Sequence, residues 1–513
     1  MSSGVELEVR HRRILTVCLM IATLMQALDS TIANVALPYM QGSLSASYDE
    51  ITWVLTSYVV MAAIMTAPVG WLSERFGRKN LFITCLVGFT ITSMLCGVAE
   101  SLPQMVAYRL LQGAFGAALV PLSQSTMLDI YPPAQRGSAM SVWGMGVMVG
   151  PILGPTLGGY LTYDFNWRYV FFVNLPFGIL AVAGLMSFMP KAQRGDAGRF
   201  DWTGFAALSI ALAALQLALD RGEELDWLNS PVIVACLIGT GLSFYLFAVH
   251  MFTARDTFIP RSIFLDINFV AGLITMFFVG LVLLASSALL APYLENLSND
   301  PVVTAGLVMA PRGAGTLLAM QVAGRLTNRM DPCHMIFLGY VMLGLSCYMQ
   351  EGWTPDESQA GVITALTIQG AGLGFVFVPL QVIAFYTMPG ALRTQGTALL
   401  SLMRNIGSAI GISITSAMLD RMTHYEHANL AQFITPFARP LQAGGAVSRI
   451  LDPTTPTGAA LLDSMINTQA QIIAYMDDFK LMLISTLPAM ACLLLMRKPP
   501  SLQQPSQHMA PME

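Results

Sequence analysis

The chain has 513 residues, of which 55% are hydrophobic and 11% are charged, and its formal net charge is −4. A soluble globular protein carries about 25% charged residues, so much of the apolar surface of this chain has to face lipid. The small net charge, with no basic stripe interleaved with aromatic residues, argues against nucleic acid as a partner. Apolar runs of about 20 residues between short loops indicate membrane-spanning α-helices, because a β-barrel would show shorter alternating segments.

Hydropathy predicts fourteen transmembrane helices, so the predicted fold class is all-α integral membrane. Helix 1 follows a basic N-terminal segment and is longer than the core of a signal peptide, so we expect it to be retained. Helix 14 is the shortest and lies between Lys480 and Arg497. The predicted positions are 14–36, 51–72, 80–100, 103–125, 138–160, 169–189, 202–220, 231–251, 268–290, 303–324, 334–350, 360–386, 395–419 and 481–496.

The Lys and Arg residues predict the orientation of the chain. Most of them lie in the termini and in alternate loops, which places both termini in the cytoplasm. The loop at 420–480 then lies on the opposite side, where we expect short amphipathic helices. In this loop, His424, Glu426 and His427 offer no third ligand at a diagnostic spacing, so we predict solvated side chains and no metal site. The seven cysteines fall in apolar spans or short loops and imply no disulfide framework.

Short motifs recur along the chain at a nearly constant offset. The matching pairs are Gln112 and Gln369, Gly113 and Gly370, Arg136 and Arg393, Gly150 and Gly407, and Gly154 and Gly411. Two copies that enter the membrane in the same direction must start an even number of helices apart, and eight helices satisfy this condition. The sequence therefore predicts an N-terminal six-helix half at 1–190, an inserted helix pair at 191–262, a C-terminal six-helix half at 263–498 that includes the loop 420–480, and a disordered cytoplasmic tail at 499–513.

Two charged residues break this internal repeat. Asp29 in helix 1 and Arg109 in helix 4 have no charged counterpart at the shifted positions, where we expect apolar residues such as Leu366. A charged residue inside a span costs about 2.5 to 3.5 kcal/mol, so it is expected to face a wet cavity or a partner. A low-dielectric site favours the neutral acid and a nearby guanidinium favours the carboxylate, so the pair is suited to bind and release a proton. The alternative is a structural ion pair that locks helix 1 to helix 4.

Other polar groups on the spans are candidates for a central cavity. Gln26, Asn34 and Gln112 lie on the same helices as Asp29 and Arg109 and are predicted to line it. Two further cations lie within spans of the second half, Arg312 in helix 10 and Arg404 in helix 13, and the sequence assigns neither a role. The 33 methionines are interpreted as packing residues.

Four motifs in chain order resemble those of a known family. The segment LDSTIANVALP at 28–38 is similar to the helix 1 signature of the fourteen-span drug:proton antiporter branch of the major facilitator superfamily, EmrB type. The segment GWLSERFGRK at 70–79 resembles the superfamily's loop between helices 2 and 3, and RLLQG at 109–113 resembles its helix 4 motif. The segment GVMVGPILGPTLGG at 146–159 resembles the antiporter motif of helix 5, and the resemblance continues to helix 14.

This resemblance implies a function. It predicts a proton-driven antiporter, with Asp29 and Arg109 as the proton-coupling residues, that exports amphipathic drugs or toxic compounds across a bacterial inner membrane. It implies a periplasmic adaptor and an outer-membrane channel as partners, and no cofactor beyond the proton gradient. The alternative is a proton-coupled transporter for one metabolite or siderophore-like compound. The chain has no phosphate-binding Gly-x-x-x-x-Gly-Lys-Ser/Thr loop and no convergent catalytic set in its spans, so neither ATP-driven transport nor enzyme activity is predicted.

Two of these motifs also have a physical interpretation. The first is a tight charged turn expected to hold one access state, with Glu74 where the family usually has Asp; it consists of Gly70, Glu74, Arg75, Gly77, Arg78 and Lys79. In the second, a glycine at every fourth position lets another helix approach closely, which suits either a leak-resistant seal or ordinary tight packing. This antiporter motif consists of Gly146, Gly150, Pro151, Gly154, Pro155, Gly158 and Gly159.

Overall fold

The structure is a computed structural model that describes residues 9–190, 198–254, 257–298, 302–327, 329–355, 357–434, 450–452 and 454–496. The described residues form helices joined by short loops and contain no β-strand. The predicted all-α membrane fold is therefore confirmed. The tail at 499–513 lies outside the described residues.

Each predicted helix has a helical counterpart, and we keep the predicted numbers. In the first part of the chain these are helix 1, Val9–Ser43; helix 2, Trp53–Thr66 and Val69–Phe76; helix 3, Arg78–Gly97; helix 4, Leu102–Gly116 and Leu119–Ile130; helix 5, Arg136–Asp164; helix 6, Tyr169–Phe172 and Asn174–Phe188; helix 7, Trp202–Arg221; and helix 8, Pro231–Thr253. The remaining helices are helix 9, Ile267–Pro292; helix 10, Val302–Leu326; helix 11, Pro332–Glu351; helix 12, Gln359–Ala384; helix 13, Arg393–Ala431; and helix 14, Pro456–Cys492.

The number of spans is close to the predicted number. Among the described residues, 12 helices are long and apolar enough to cross a membrane, and the count rises to 13 when the two parts of helix 2, bent by 60°, are taken as one span. Helix 10 does not pass this test, and it carries Pro311 and Arg312 in its interior. The chain is therefore a multi-pass membrane protein, and the count of fourteen stays a prediction.

The prediction for the end of the chain was wrong. Helix 13 has 39 residues and helix 14 has 37, so each is about 55 to 60 Å long and exceeds a hydrocarbon core of about 30 Å. Residues 420–431 and 456–480, which were predicted to lie in a loop with short helices, thus extend the two spans, and residues 435–449 of that loop lie outside the described part of the chain. Thr455 caps helix 14 by accepting a hydrogen bond from the Gly458 backbone amide. His427 and Asp463 join the two extensions at 2.9 Å. Hydropathy located only the apolar second half of helix 14, because the first half carries more polar residues.

The two predicted halves pack alike. In the first half helix 1 packs on helix 5, helix 2 on helix 4, and helix 3 on helices 4 and 6. In the second half helix 9 packs on helix 13, helix 10 on helix 12, and helix 11 on helices 12 and 14. These are equivalent pairs under the internal repeat.

Helix 7 joins the inserted pair to both halves. The Thr56 hydroxyl of helix 2 donates to the Asp220 carboxylate of helix 7, and the Ser413 hydroxyl of helix 13 donates to the Leu219 carbonyl at 2.9 Å. Helix 8 packs mainly on helix 7 and exposes apolar side chains such as Leu242 to the surroundings. Helix 8 therefore has the surface expected of a lipid-facing helix.

Candidate functional site

Helices 1 and 5 approach each other closely around Asp29. A Cβ atom at Gly150 would lie 2.6 Å from the Ala27 Cβ and 2.8 Å from the Leu28 backbone nitrogen. One turn further along, a Cβ atom at Gly154 would overlap the Thr31 side chain. The glycines of this motif, which we call the glycine stripe, thus hold helix 5 against the backbone of helix 1 at Asp29. The predicted close approach of helix 5 to another helix is confirmed.

Not every residue of the helix 5 motif makes such a contact. A Cβ atom at Gly158 would lie 2.9 Å from Ile32, and one at Gly146 would lie 3.4 Å from Met20. A Cβ atom at Gly159 would meet, among the described residues, a Val35 methyl group at 4.0 Å and nothing closer, and Pro151 is exposed. The side chain of Pro155 lies outside the described part of the chain. Tight packing therefore concentrates at the middle of the motif.

Asp29 is fully buried and accepts hydrogen bonds from three side chains on two other helices. Arg109 of helix 4 donates from Nη1 to Oδ2 at 2.7 Å, and Gln112 donates from Nε2 to Oδ1 at 2.8 Å. Asn174 of helix 6 donates to Oδ1 at 3.3 Å and to the Ser93 hydroxyl of helix 3 at 3.0 Å. The Asp29 carboxyl group is therefore paired with three donors in the interior of the bundle.

Arg109 is fully buried too, and helix 2 completes its surroundings. Its Nε donates to the Val54 carbonyl at 3.0 Å, and its guanidinium carbon lies 4.2 Å from the centre of the Tyr58 ring. Within the described part of the chain, Nη2 has no hydrogen-bond acceptor. The two N–H donors of Nη2 therefore have no acceptor among the described residues, while the Asp29 carboxylate balances the charge of the guanidinium.

Of the three residues predicted to line a cavity, Gln112 lies in the interior of the bundle instead. It is fully buried, and its Oε1 accepts from Arg109 at 2.8 Å, so in this conformation it belongs to the Asp29 network and not to a wet surface. Asn34 is exposed, and Gln26 is half-buried with a 3.4 Å contact from its Nε2 to the Tyr58 hydroxyl. Only these two remain candidates to line a cavity.

The second half carries a neutral version of the same arrangement. Leu366 stands at the position equivalent to Arg109 and is buried. The position equivalent to Asp29 holds Ser286, which is polar and not apolar as we expected, and its hydroxyl donates to Gln369 at 3.1 Å. The ionic pair is thus confined to the first half, as the broken repeat predicts.

The charged turn after helix 2 lies where the two halves meet. Here Gly77 has a φ of 82°, which only glycine adopts without strain. Glu74 accepts a 3.4 Å hydrogen bond from Gln395 of helix 13, and a Cβ atom at Gly70 would overlap the Gln395 side chain. Lys79 donates to carbonyls at the end of helix 6, and Arg75 is exposed. We call the side of the bundle that carries this turn the basic side.

Other contacts between the halves also lie on the basic side. Asp129 of helix 4 forms ion pairs with Arg78 of its own half and with Arg393 of the second half. Deeper in the bundle, the Gln124 amide donates to the Gln381 carbonyl oxygen. Asp129 was not predicted from the sequence. The available signal was an acidic residue at the end of an apolar helix, on the same side of the membrane as the loops that carry Arg136 and Arg393. In this conformation the basic side is closed.

The Asp129 ion pairs allow a first prediction. Both pairs are partly exposed, so together they are worth roughly 1 kcal/mol, or about a fivefold change in a conformational equilibrium. Ser141 of helix 5 is buried where the halves meet, because a Cβ atom at Gly324 of helix 10 would overlap its side chain. We expect Asp129→Asn to speed the maleimide labelling of a Ser141→Cys reporter in a cysteine-free background by about that factor. Arg325→Gln, which removes an exposed charge at the end of helix 10, is the matched control. Equal labelling rates in the two variants would contradict the assignment of Asp129 to closure.

Comparison with known proteins agrees with the fold and the motifs. The model for the Major Facilitator Superfamily matches residues 19–412. The chain is 32% identical to the multidrug export protein EmrB of Escherichia coli strain K12 over 91% of each chain. It is also 32% identical to the fatty acid resistance protein FarB of Neisseria gonorrhoeae over 84% of this chain and 85% of that protein.

Solved structures support the same fold at lower sequence identity. The human organic anion transporter MFSD10 aligns with a TM-score of 0.59 and 15% identity, covering 93% of this chain and 99% of that chain. The proton:xylose symporter XylE aligns with a TM-score of 0.58 and 14% identity, covering 93% and 95%. The predicted resemblance is therefore confirmed: the chain belongs to the major facilitator superfamily, in the group that includes the EmrB proteins.

Proposed function

We propose that this protein is a proton-driven antiporter that exports amphipathic compounds from the cytoplasm or inner membrane of a bacterium. The observation that carries the proposal is the buried Asp29–Arg109 pair, which is confined to one half of a two-halved carrier. The relatives named for multidrug export and fatty acid resistance support export of apolar or amphipathic compounds.

The geometry suggests how protonation is coupled to movement. When the basic side is closed, the Asp29 carboxyl group accepts hydrogen bonds from Arg109, Gln112 and Asn174. A proton that reaches Asp29 removes its charge and weakens all three hydrogen bonds, which frees helix 1 to move against helices 4 and 6. Because helix 5 packs against the same turn of helix 1, the movement is passed to the interface between the halves. Protonation and access thus change together.

The proton gradient supplies enough energy for this exchange. One elementary charge that crosses 100 mV releases about 2.3 kcal/mol. Since 1.4 kcal/mol corresponds to a factor of ten, this supports a substrate gradient of roughly fifty-fold per proton. No other energy source enters the proposal.

The orientation and the partners follow from the basic side. By the positive-inside rule the basic side is cytoplasmic, so the extensions of helices 13 and 14 project into the periplasm. We propose that these extensions contact a periplasmic adaptor, which joins the protein to an outer-membrane channel. An adaptor that still co-purifies after residues 425–465 are replaced by a short Gly-Ser linker would contradict this contact.

The test of function is transport in proteoliposomes with an imposed pH gradient. We expect wild-type protein to accumulate ethidium or radiolabelled dodecanoate against its gradient, and a protonophore to abolish this accumulation. The alternative function, transport of one metabolite or siderophore-like compound, predicts that neither probe moves. Accumulation that persists without a proton gradient would exclude the proposed energy source.

A further inference from the structure

The inserted helices 7 and 8 are joined to each other as one unit. Helix 8 packs mainly on helix 7. At the basic side, Nε2 of His250 in helix 8 lies 2.8 Å from Oδ1 of Asp201, which also caps helix 7 by accepting from the Gly204 backbone amide at 2.8 Å. The Phe258 ring, which follows helix 8, lies with its centroid 6.3 Å from that of Phe205 in helix 7. Helices 7 and 8 are therefore expected to move together.

At the basic side, this pair is attached to helix 2 of the first half. Trp71, in the charged turn after the bend of helix 2, donates from Nε1 to the Gly198 carbonyl just before helix 7 at 3.1 Å. The Trp71 ring also packs on Phe200, with 4.7 Å between the ring centroids. The start of helix 7 is thus held by helix 2.

At the opposite side, helix 7 is attached to helix 2 again. The Thr56 hydroxyl of helix 2 donates to the Asp220 carboxylate, and the Arg221 guanidinium carbon lies 5.1 Å from the centre of the Trp53 ring. A hydrogen bond to a carboxylate is stronger than one between neutral groups, and the cation–π contact adds to it. Helix 7 is therefore held to the first half at both of its ends.

The contact of helix 7 with the second half is weaker. The Ser413 hydroxyl of helix 13 donates to the Leu219 carbonyl at 2.9 Å, and both groups are neutral. Helix 7 also packs less on helix 13 than on helix 2. Ser413 lies about 30 Å along helix 13 from Arg393, which belongs to the basic side. We call the hydrogen bond from Ser413 to Leu219 the Ser413 latch.

The position of the latch makes it sensitive to movement of the halves. When two halves rock against each other, the ends of their helices are displaced farthest. The latch lies near such ends, and a hydrogen bond is lost once its two atoms are about 3.6 Å apart. The attachments of helix 7 to helix 2 lie within one half, so rocking does not stretch them.

We propose that helices 7 and 8 move as part of the first half, and that the Ser413 latch forms when the basic side is closed and breaks when that side opens. The carrier then consists of two moving bodies, helices 1 to 8 and helices 9 to 14. The inference goes beyond the proposed export function, because it depends on neither the substrate nor the energy source.

The test removes one hydroxyl at a time and measures how readily the basic side opens. The measure is the rate of maleimide labelling of the Ser141→Cys reporter, in full-length cysteine-free protein in nanodiscs without substrate. Loss of a hydrogen bond that exists in one state alone changes the equilibrium about fivefold, so we expect Ser413→Ala to speed labelling by about that factor. Thr56→Val removes a hydrogen bond that is kept in both states, and we expect its labelling rate to stay within twofold of the unmodified reporter.

Ser408→Ala is the matched control on helix 13. The Ser408 side chain is buried like that of Ser413, but its hydroxyl donates to the Gly280 carbonyl of helix 9 at 3.0 Å, inside the second half. We expect Ser408→Ala to label within twofold of the unmodified reporter. An unchanged rate in Ser413→Ala would overturn the latch, and so would an equal rise in Ser408→Ala. An equal rise in Thr56→Val would show that helix 7 is not fixed to the first half.

Cross-linking measures the division into two bodies independently. Thr56→Cys is combined with Asp220→Cys in one variant, and Leu219→Cys with Ser413→Cys in another, and each pair is joined by the same short bifunctional thiol reagent. Once mass spectrometry verifies the cross-links, we expect the first variant to keep at least half of its ethidium transport and the second to lose at least tenfold. Loss in both variants or in neither would overturn the proposal. If even wild-type protein moves no ethidium, the export function fails, whereas the labelling rates still decide this inference.

Discussion

Asp29→Asn is expected to abolish proton-driven accumulation of both probes in proteoliposomes. Among the described residues, Asp29 is the one carboxylate that pairs with the buried Arg109, so the change also leaves an uncompensated cation. Breaking one side of a buried pair costs about 3 to 5 kcal/mol, and we expect a lower unfolding temperature in detergent. Transport and thermal unfolding are therefore measured on the same preparations.

A double variant separates the two interpretations of the pair. Asp29→Asn combined with Arg109→Gln removes both charges, which is expected to restore most of the lost stability because no unpaired ion remains. If the pair acts as a proton site, this stable variant still fails to couple. If the pair only locks helix 1 to helix 4, the double variant regains transport. That result would contradict the assignment of Asp29 as the proton-binding residue.

Asp478→Asn is the matched control for loss of a buried acid. Asp478 in helix 14 is also fully buried, and neither carboxylate oxygen has a partner among the described residues. Neutralising it removes a buried charge site without stranding a cation. We expect this variant to keep proton-coupled transport, which would show that the loss in Asp29→Asn is specific to its position.

The second large effect is expected from Gly150→Ala. The added methyl group meets the backbone of helix 1 at Leu28 and the Ala27 side chain, and backbone atoms cannot rotate away from it. Helices 1 and 5 must then separate, at a cost of about 1 to 3 kcal/mol, and Asp29 moves with helix 1. We expect both a lower unfolding temperature and at least a tenfold loss of transport.

Gly159→Ala is the control for this substitution within the same motif. Its methyl group would meet only a Val35 methyl at ordinary contact distance, so we expect nearly wild-type stability and transport. If Gly150→Ala and Gly159→Ala unfold at the same temperature, the glycine stripe is not the close contact that the structure shows.

Periodic and paired features of this protein could be predicted from its sequence. Apolar runs located the spans because each needs about 20 residues to cross the membrane. The broken repeat singled out Asp29 and Arg109, and the structure places them in contact at 2.7 Å. The repeat worked because equivalent positions in the two halves share packing, so a charge present in one half alone requires a separate reason.

Contacts between helices that lie far apart along the chain could not be predicted from the sequence. Asn174 and Ser93 join the Asp29 network from helices 6 and 3, and neither has a pattern that distinguishes it from other polar residues in spans. Gln112 was predicted to line a cavity because the sequence located its helix but not the direction in which each face of that helix points. Helix 14 was predicted too short because hydropathy detects apolar segments that contact lipid. Its first half instead packs on helix 13 and is joined to it by the His427–Asp463 hydrogen bond.

The most direct test of the account is infrared difference spectroscopy of the purified protein after a jump to lower pH. A carboxyl group that binds a proton produces the C=O stretching band of a carboxylic acid, and no substrate has to be known. The account predicts a band in the wild-type protein that is missing in Asp29→Asn and present in Asp478→Asn. A spectrum in which Asp29→Asn leaves every such band unchanged would contradict proton binding by Asp29.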